Sequence, residues 1–249
     1  MALDGPGPAW VGIGAQRSGT TWLTDLVTQH PRVELGTNGK KEQQLLHKVA
    51  DGKRHAADYL DLFPRDDGVL RGEWSPQYLR HATAPFAAGE LLPDVRFWVL
   101  LRDPVDRYRS AMHLAVTREW MQRRSKRHIQ QAWPYPVPTT VQTWSGCYAD
   151  QLDMWAAAVG RERVVPMVFE QVRRDPQAVV DGLWRDLGLE PVPLADVTES
   201  SHSSSEPRVS WEWTPGLQET LRVLYRPQAE RLERDWGLDT SAWTTLHGG

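Results

Sequence analysis

The residues of this sequence best suited to chemistry form a glycine-rich turn at residues 14–22, which carries several hydroxyls and one cation. The turn lies between a short apolar run and a helical pattern. A turn that joins a buried strand to a helix points successive backbone N–H groups into one concavity, and the positive end of the helix dipole adds to them. The hydroxyls of Ser18, Thr20 and Thr21 supply further donors, so the pattern predicts a phosphate-binding loop. The alternative interpretation is a glycine-rich turn without a ligand.

The spacing within this turn resembles the nucleotide-triphosphatase loop GxxxxGK[ST], with one departure. Gly14 and Gly19 have the required separation, and Thr21 occupies the position of the hydroxyl that binds magnesium. The lysine position, however, holds Thr20, which removes the contact to the β- and γ-phosphates. Because a cation appears instead at Arg17, the turn suits a single phosphate better than a triphosphate with magnesium.

A second candidate anion site follows the strongest predicted strand, at residues 95–101. Arg102 comes directly after this strand, and Ser110 lies about two turns into the next predicted helix. Open α/β sheets bind ligands at the carboxyl ends of their strands, and an arginine can make a bidentate contact to a phosphate. The alternative interpretation is that Arg102 pairs with Asp103 or Asp106, and that Ser110 is ordinary helix surface.

Both candidate sites need a sheet that alternates with helices, and the sequence predicts one. Strands are predicted at residues 10–14, 69–74, 95–101 and 163–169, and helices at residues 18–29, 41–50, 55–63, 104–117, 144–155, 175–187 and along the C-terminus. Pro166 suits an edge strand or a bulge, because proline cannot donate to a neighbouring strand. The alternation predicts an α/β fold class, a P-loop-like three-layer fold whose central, mostly parallel sheet is flanked by helices.

Two stretches interrupt this pattern. Residues 118–142 are basic and rich in Trp, Tyr and Pro, which predicts a surface insertion or lid. A solvated charged face is the alternative for the same residues. Residues 197–207 form a serine-rich loop. No convincing linker divides the chain, so one domain is expected over residues 1–249.

The composition excludes several classes of protein. Lys and Arg number 29 against 32 Asp and Glu, a net charge of −3, which argues against a broad nucleic-acid-binding surface. The single cysteine, Cys147, leaves no intramolecular disulfide framework and no cysteine-rich zinc site. No apolar run approaches the ~18 residues of a membrane span, and residues 1–8 show no secretory signal. We therefore expect a cytoplasmic protein without membrane or nucleic-acid partners, with most of its 13 tryptophans in the core.

Over longer segments, the sequence resembles the sulfotransferases that use 3′-phosphoadenosine 5′-phosphosulfate (PAPS). Residues 15–23 resemble their 5′-phosphosulfate loop, and residues 101–110 resemble their 3′-phosphate motif. Residues 41–46 are similar to the stretch that supplies the base in carbohydrate sulfotransferases, and residues 73–78 match a common segment near the cofactor and acceptor. The likeness extends over roughly residues 9–240. It is strongest to the carbohydrate and heparan branch and to soluble, bacterial-type members.

The resemblance implies in-line transfer of a sulfuryl group from PAPS to a hydroxyl or amine of a small-molecule or saccharide acceptor. The product nucleotide is 3′-phosphoadenosine 5′-phosphate (PAP), and natural-product tailoring is one role that would suit such an enzyme. No metal is required, since the leaving group is a phosphate monoester. The donor-binding residues implied are Arg17, Ser18, Gly19, Thr20, Thr21, Trp22, Arg102, Ser110, Ser203 and Arg208. The family often has a lysine where this sequence has Arg17.

The resemblance also implies catalytic roles. Arg17 stabilises the charge on the leaving phosphate, Glu42 takes the proton of the acceptor, and Lys41 touches the transferring sulfuryl group. The alternative for Glu42 is a carboxylate that stabilises the first turn of a helix. His47 is the second candidate for the base, and His113 is the third.

Two other classes of function stay open at this point. The first is a magnesium-dependent nucleotide kinase on the same general fold, which Thr20 in the lysine position disfavours. The second is a noncatalytic nucleotide-binding module whose partner is another protein. On the sulfotransferase interpretation, residues 118–142 form an acceptor-side lid, and a homodimer is the oligomeric state that we consider.

Overall fold

The computed structural model describes residues 6–65, 68–117, 140–198 and 213–248. Its central feature is a five-stranded parallel sheet, as the sequence predicts. In chain order the strands are β1 (Trp10–Gly14), β2 (Val33–Leu35), β3 (Leu70–Trp74), β4 (Phe97–Leu101) and β5 (Val164–Val168). Across the sheet their order is β2-β3-β1-β4-β5. The strand that contains Pro166 is therefore an edge strand, as predicted.

Tryptophan rings occupy the space that two strand glycines leave open. A Cβ atom on Gly12 would lie 2.0 Å from the ring of Trp74. A Cβ atom on Gly72 would lie 2.3 Å from the ring of Trp10. The rings of Trp10 and Trp98 stack with their centroids 5.3 Å apart, and all three tryptophans are fully buried. This packing joins the three central strands through their side chains as well as their hydrogen bonds.

The described residues fall into two compact units, the first within residues 1–101 and 150–199 and the second within residues 102–149 and 200–249. The helices, in chain order, are α1 (Thr20–Val27), α2 (Leu46–Ala50), α3 (Ala56–Leu60), α4 (Ala84–Leu91), α5 (Pro104–Thr117), α6 (Thr140–Trp144), α7 (Tyr148–Val159), α8 (Phe169–Arg174), α9 (Pro176–Asp186), α10 (Pro215–Trp236) and α11 (Thr244–His247). Helices α1 to α4, α8 and α9 accompany the sheet in the first unit. Helices α5, α6, α10 and α11 belong to the second unit, and α7 begins there.

Several observed elements differ from the predicted ones. The short strand β2 and the helices α4, α6, α8 and α11 were not expected. The helix expected at residues 41–50 is present only as α2. Helix α2 begins late because side chains, rather than helix carbonyls, accept from the backbone N–H groups of residues 43–46. The parallel sheet and its helices otherwise match the predicted α/β fold class.

Some sequence predictions lie outside the described residues. These are most of the expected lid, at residues 118–139, and residues 199–212, which contain Ser203 and Arg208. The prediction of a single sulfotransferase domain over residues 1–249 stays a prediction. Among the described helices, none is long and apolar enough to cross a membrane.

Candidate functional site

The glycine-rich turn has the backbone geometry of an anion-binding loop. It joins the end of β1 to the start of α1, and Gly19 is the N-cap residue of that helix with φ 83° and ψ 16°. A Cβ atom on Gly19 would lie 2.3 Å from the ring of Phe169. Both the left-handed backbone and the close ring therefore require glycine at this position. Arg17, with φ 70°, also has a left-handed backbone, so two positions in one short turn depart from the usual conformations.

The hydroxyl of Ser18 is buried in this turn without a partner. Ser18 has no exposed surface, and its Oγ atom makes no hydrogen bond within the described part of the chain. An unsatisfied buried hydroxyl is costly to folding. A phosphate oxygen in the turn would accept from this hydroxyl, so the turn fits the phosphate group that the sequence predicts for it.

The turn is contacted by a cation from another segment. The Nζ atom of Lys41 donates to the hydroxyl of Thr20 at 3.2 Å and to that of Thr21 at 3.1 Å. It also lies 3.4 Å from a carboxylate oxygen of Glu42, and only 18% of the Lys41 side chain is exposed. Burial lowers the pKa of Lys41, and the charge of Glu42 opposes that shift. Lys41 thus brings an ammonium group to Thr20, the residue in the lysine position of the triphosphatase-type loop.

Glu42 lies beside this cation, in the loop that precedes α2. Its second oxygen, Oε2, accepts from the side-chain amide of Gln44 at 2.9 Å, and 37% of its side chain is exposed. The alternative that Glu42 stabilises the first turn of a helix is wrong, because α2 begins only at Leu46. A partly exposed carboxylate next to Lys41 is accessible to a substrate hydroxyl.

The second candidate base, His47, lies in α2 among aromatic rings. Its ring stacks on that of His81 with centroids 4.3 Å apart, and the ring of Tyr78 lies 6.0 Å away. Burial, followed by the charges of His81 and Lys48, lowers the pKa of His47. The third candidate, His113, lies in α5 of the second unit.

A buried carboxyl group that the sequence analysis did not single out supports the Lys41 segment. Glu73 in β3 has no exposed surface. Burial raises the pKa of Glu73 to about 7, and hydrogen bonds from Ser75, the Gln43 backbone and Tyr78 oppose the shift. The signal available in the sequence was an acidic residue in a predicted strand, within the segment 73–78 whose family likeness had already been noted.

A guanidinium group also contacts the turn. Arg80 donates to the side-chain oxygen of Gln16 at 2.7 Å and to that of Gln77 at 3.3 Å. Arg80 was not predicted from the sequence either, because it lies 64 residues from Gln16 along the chain. The first unit therefore gathers three cationic residues at or beside the turn: Arg17 within it, and Lys41 and Arg80 from other segments.

The residues of the second candidate anion site belong to the second unit. Arg102 follows β4 in the chain, and its carbonyl accepts from the Tyr148 hydroxyl at 3.0 Å. Asp103 caps α5, since its Oδ1 atom accepts from the backbone N–H of Val105 at 2.9 Å. Its Oδ2 atom accepts from the backbone N–H of Leu246 at 2.9 Å. Ser110 lies within α5. These contacts fix the backbone on either side of the start of the helix.

The metal-free site that we expected stays a prediction. In the ranges that the structure describes, no group of three or more His, Cys, Asp or Glu side chains could hold a metal ion. The three cationic groups near the turn supply positive charge without one.

Comparison with protein families matches the chain to the family that the sequence resembles. A family model described as "Sulfotransferase family" matches residues 43–193. The mouse (Mus musculus) bifunctional heparan sulfate N-deacetylase/N-sulfotransferase 4 is 25% identical over 205 residues, which cover 74% of this chain and 22% of that protein. The mouse heparan sulfate glucosamine 3-O-sulfotransferase 6 is 28% identical over 201 residues, which cover 76% of this chain and 56% of that protein. The chain thus spans between about a fifth and just over half of the length of these relatives.

Among solved structures, the chain is similar to a sulfotransferase from Alicyclobacillus acidocaldarius. The two are 27% identical with a TM-score of 0.72, and the match covers 95% of this chain and 98% of the other.

Proposed function

The chain belongs to the sulfotransferase family, and on that premise we propose that it transfers a sulfuryl group from PAPS to a hydroxyl or amine of an acceptor. The observation that carries the proposal is the Lys41 ammonium, which donates to the hydroxyls of Thr20 and Thr21 in a glycine-rich turn. The unpartnered Ser18 hydroxyl in the same turn supports it. Together they favour an anion at the start of α1.

The turn is proposed to hold the 5′ end of the donor. The donor supplies an activated sulfuryl group whose sulfur–oxygen bond to the 5′-phosphate breaks while the bond to the acceptor oxygen or nitrogen forms. Negative charge then builds on the 5′-phosphate. Arg17, Lys41 and the backbone N–H groups that begin α1 are proposed to stabilise this charge. Trp22 is proposed to line the same end of the donor.

Glu42 is proposed to take the proton that the acceptor loses. A general base needs a carboxylate or imidazole within reach of that proton. Glu42 meets two conditions, since its side chain is partly exposed and it lies beside Lys41. His47, whose ring packs against those of His81 and Tyr78, stays as the second candidate, and His113 in α5 stays as the third.

The 3′-phosphate of the donor is proposed to bind Arg102 and Ser110, with Ser203 and Arg208 closing over the nucleotide. This assignment rests on the resemblance of residues 101–110 to the family's 3′-phosphate motif. An arginine is suited to it because the guanidinium contacts two phosphate oxygens at once.

The acceptor is proposed to be a small molecule or a saccharide. The similarity to two heparan sulfate sulfotransferases favours the saccharide class. A basic segment at residues 118–142 would suit an anionic acceptor.

The test is transfer without metal. The purified chain is incubated with PAPS and EDTA and a panel of phenols, alcohols, sugars and amines, and the products are examined for sulfation by mass spectrometry. We expect a sulfated product from at least one class and none from Arg17→Ala, with the variant still folded by circular dichroism. Phosphoryl transfer from ATP that needs magnesium would instead favour the kinase, and tight PAP binding without any transfer would favour the noncatalytic module.

A further inference from the structure

Three side chains from residues 73–78 bind four consecutive backbone N–H groups of the segment that follows Glu42. This segment, residues 43–46, connects the candidate base to α2. Glu73, Ser75 and Tyr78 act as the acceptors. The distances are 2.9 Å from Gln43 N to Glu73 Oε2, 2.9 Å from Gln44 N to Ser75 Oγ, 2.8 Å from Leu45 N to Tyr78 OH and 3.2 Å from Leu46 N to Tyr78 OH.

Glu73 orients the other two acceptors. The Ser75 hydroxyl donates to Glu73 Oε2 at 2.5 Å, and the Tyr78 hydroxyl donates to Glu73 Oε1 at 2.9 Å. Each hydroxyl has one proton to give, so a hydroxyl that donates to the carboxylate turns its lone pairs toward the backbone N–H groups. An ionised carboxylate can only accept hydrogen bonds. With Glu73 ionised, both hydroxyls must therefore donate to it and accept from the backbone N–H groups.

The same contacts fix the backbone at Lys41 and Glu42. The backbone N–H of Trp74, next to Glu73, donates to the carbonyl of Lys41 at 2.8 Å. Gln44 has φ 52°, a left-handed conformation that a glutamine adopts only when its surroundings hold it there. Residues 41–46 are therefore tied along their length to the end of β3, and the ammonium of Lys41 projects from a fixed backbone.

We propose that Glu73 is a positioning residue, which holds Lys41 against the hydroxyls of Thr20 and Thr21 by fixing the backbone of residues 41–46. It acts through that segment and is separate from the groups assigned to donor and acceptor. The inference rests on the proposed function only for the ligand used in its second test.

The first test needs no nucleotide. Each lysine is acetylated with a limiting amount of an amine-reactive reagent at about pH 8, where amines react as free bases and Glu73 is ionised, and the rate at each site is followed by mass spectrometry. In Glu73→Gln we expect Lys41 to react about fivefold or more faster than in the wild type.

Lys53, which is exposed, reports on general loosening of the fold and should keep its acetylation rate. Glu34→Gln is the matched control, since it makes the same change in an exposed carboxylate of β2. An unchanged Lys41 rate in a folded Glu73→Gln would overturn the inference.

The second test is a double-mutant cycle with PAP binding measured by calorimetry. Glu73→Gln should weaken PAP binding about tenfold when Lys41 is present and less than about twofold in a Lys41→Met background, because the effect passes through that ammonium. Equal weakening in both backgrounds would reveal a merely structural role and overturn the inference. If Glu73→Gln does not fold, Ser75→Ala replaces it in both tests with the same expected pattern. A wild type that fails to bind PAP overturns the proposed function, and the labelling result then decides the positioning role alone.

Discussion

The Lys41 ammonium lies 3.2 Å from the hydroxyl of Thr20, the residue that occupies the lysine position of the triphosphatase-type loop. The loop therefore receives a second cation, besides its own Arg17, from a different segment of the chain. This arrangement separates the backbone cradle, which α1 and its glycine provide, from the part of the charge that Lys41 provides. The charge can then be changed by substitution without disturbing the helix that follows the turn.

Replacement of Lys41 by methionine tests that separation. Lys41→Met should weaken PAP binding about tenfold to a hundredfold, since a hydrogen bond to a charged group contributes about 1.5–3 kcal/mol. Binding of 3′-AMP, which lacks the 5′-phosphate, should stay within about twofold of the wild type. Calorimetric titration with both nucleotides gives the comparison. Lys40→Met, the neighbouring exposed lysine, is the control, and an equal loss for both nucleotides would place Lys41 elsewhere.

Arg102 is expected to act on the other end of the nucleotide. Arg102→Ala should weaken binding of PAP and 3′-AMP about tenfold or more and leave 5′-AMP binding within about twofold, because its partner is a phosphate that does not react. The rate at saturating PAPS should fall less than about threefold. Arg96→Ala removes an arginine at the opposite end of the same strand, where it pairs with Asp186, and should affect none of these values. Full affinity for 3′-AMP in Arg102→Ala would remove Arg102 from the site.

The requirement for glycine in the turn can be measured against a second glycine. Gly19→Ala combines a left-handed backbone with a Cβ atom 2.3 Å from the Phe169 ring, so it should lower the free energy of unfolding by about 2–4 kcal/mol. Gly39 has φ +67° and open space around the missing Cβ atom. Gly39→Ala should therefore cost only about 1 kcal/mol. Urea unfolding of both variants separates the steric part from the backbone part, and equal losses would mean that Phe169 yields to the added methyl group.

The sequence alone was sufficient for the parts of the site that depend on local pattern. The spacing of Gly14 and Gly19 placed the turn between β1 and α1, and the apolar run before Arg102 identified β4. These signals are local, because a buried parallel strand needs continuous apolar residues and the turn needs a glycine at its left-handed position.

The contacts of Lys41 could not be predicted in the same way. The periodicity of residues 41–50 favours a helix, which would have placed Lys41 and Glu42 in its first turn. The observed conformation depends instead on Glu73, Ser75 and Tyr78, which lie about thirty residues further along the chain. Tertiary hydrogen bonds overrode the local propensity here, and a single sequence gives no direct signal for them.

The role proposed for Glu42 predicts an effect on rate with little effect on binding. Glu42→Gln keeps the size of the side chain and its polarity but removes its ability to take a proton, so transfer should slow about a hundredfold or more. PAP affinity should change less than about threefold. Gln44→Ala, which removes the amide that donates to Glu42, serves as the control and should slow transfer far less. Unchanged turnover in Glu42→Gln would give the role of base to His47 or His113, which His47→Ala and His113→Ala would then distinguish.

The buried carboxyl of Glu73 predicts a particular dependence of stability on pH. Its pKa is raised from 4.5 to about 7 because burial disfavours the charged form, so between these values the folded chain binds more protons than the unfolded chain. Its contribution to stability is then complete below about pH 4.5 and is lost as the pH rises through about 7. A shift of this size corresponds to roughly 3 kcal/mol.

The wild type should thus lose about that much stability relative to Glu73→Gln between about pH 5 and pH 8, measured by urea unfolding at both values. Taking the difference between the two proteins cancels the titration of His47 and His81, and Glu34→Gln should show no such change. A constant difference between wild type and Glu73→Gln at the two pH values would mean that Glu73 is ionised throughout, with its three hydrogen bonds outweighing the cost of burial.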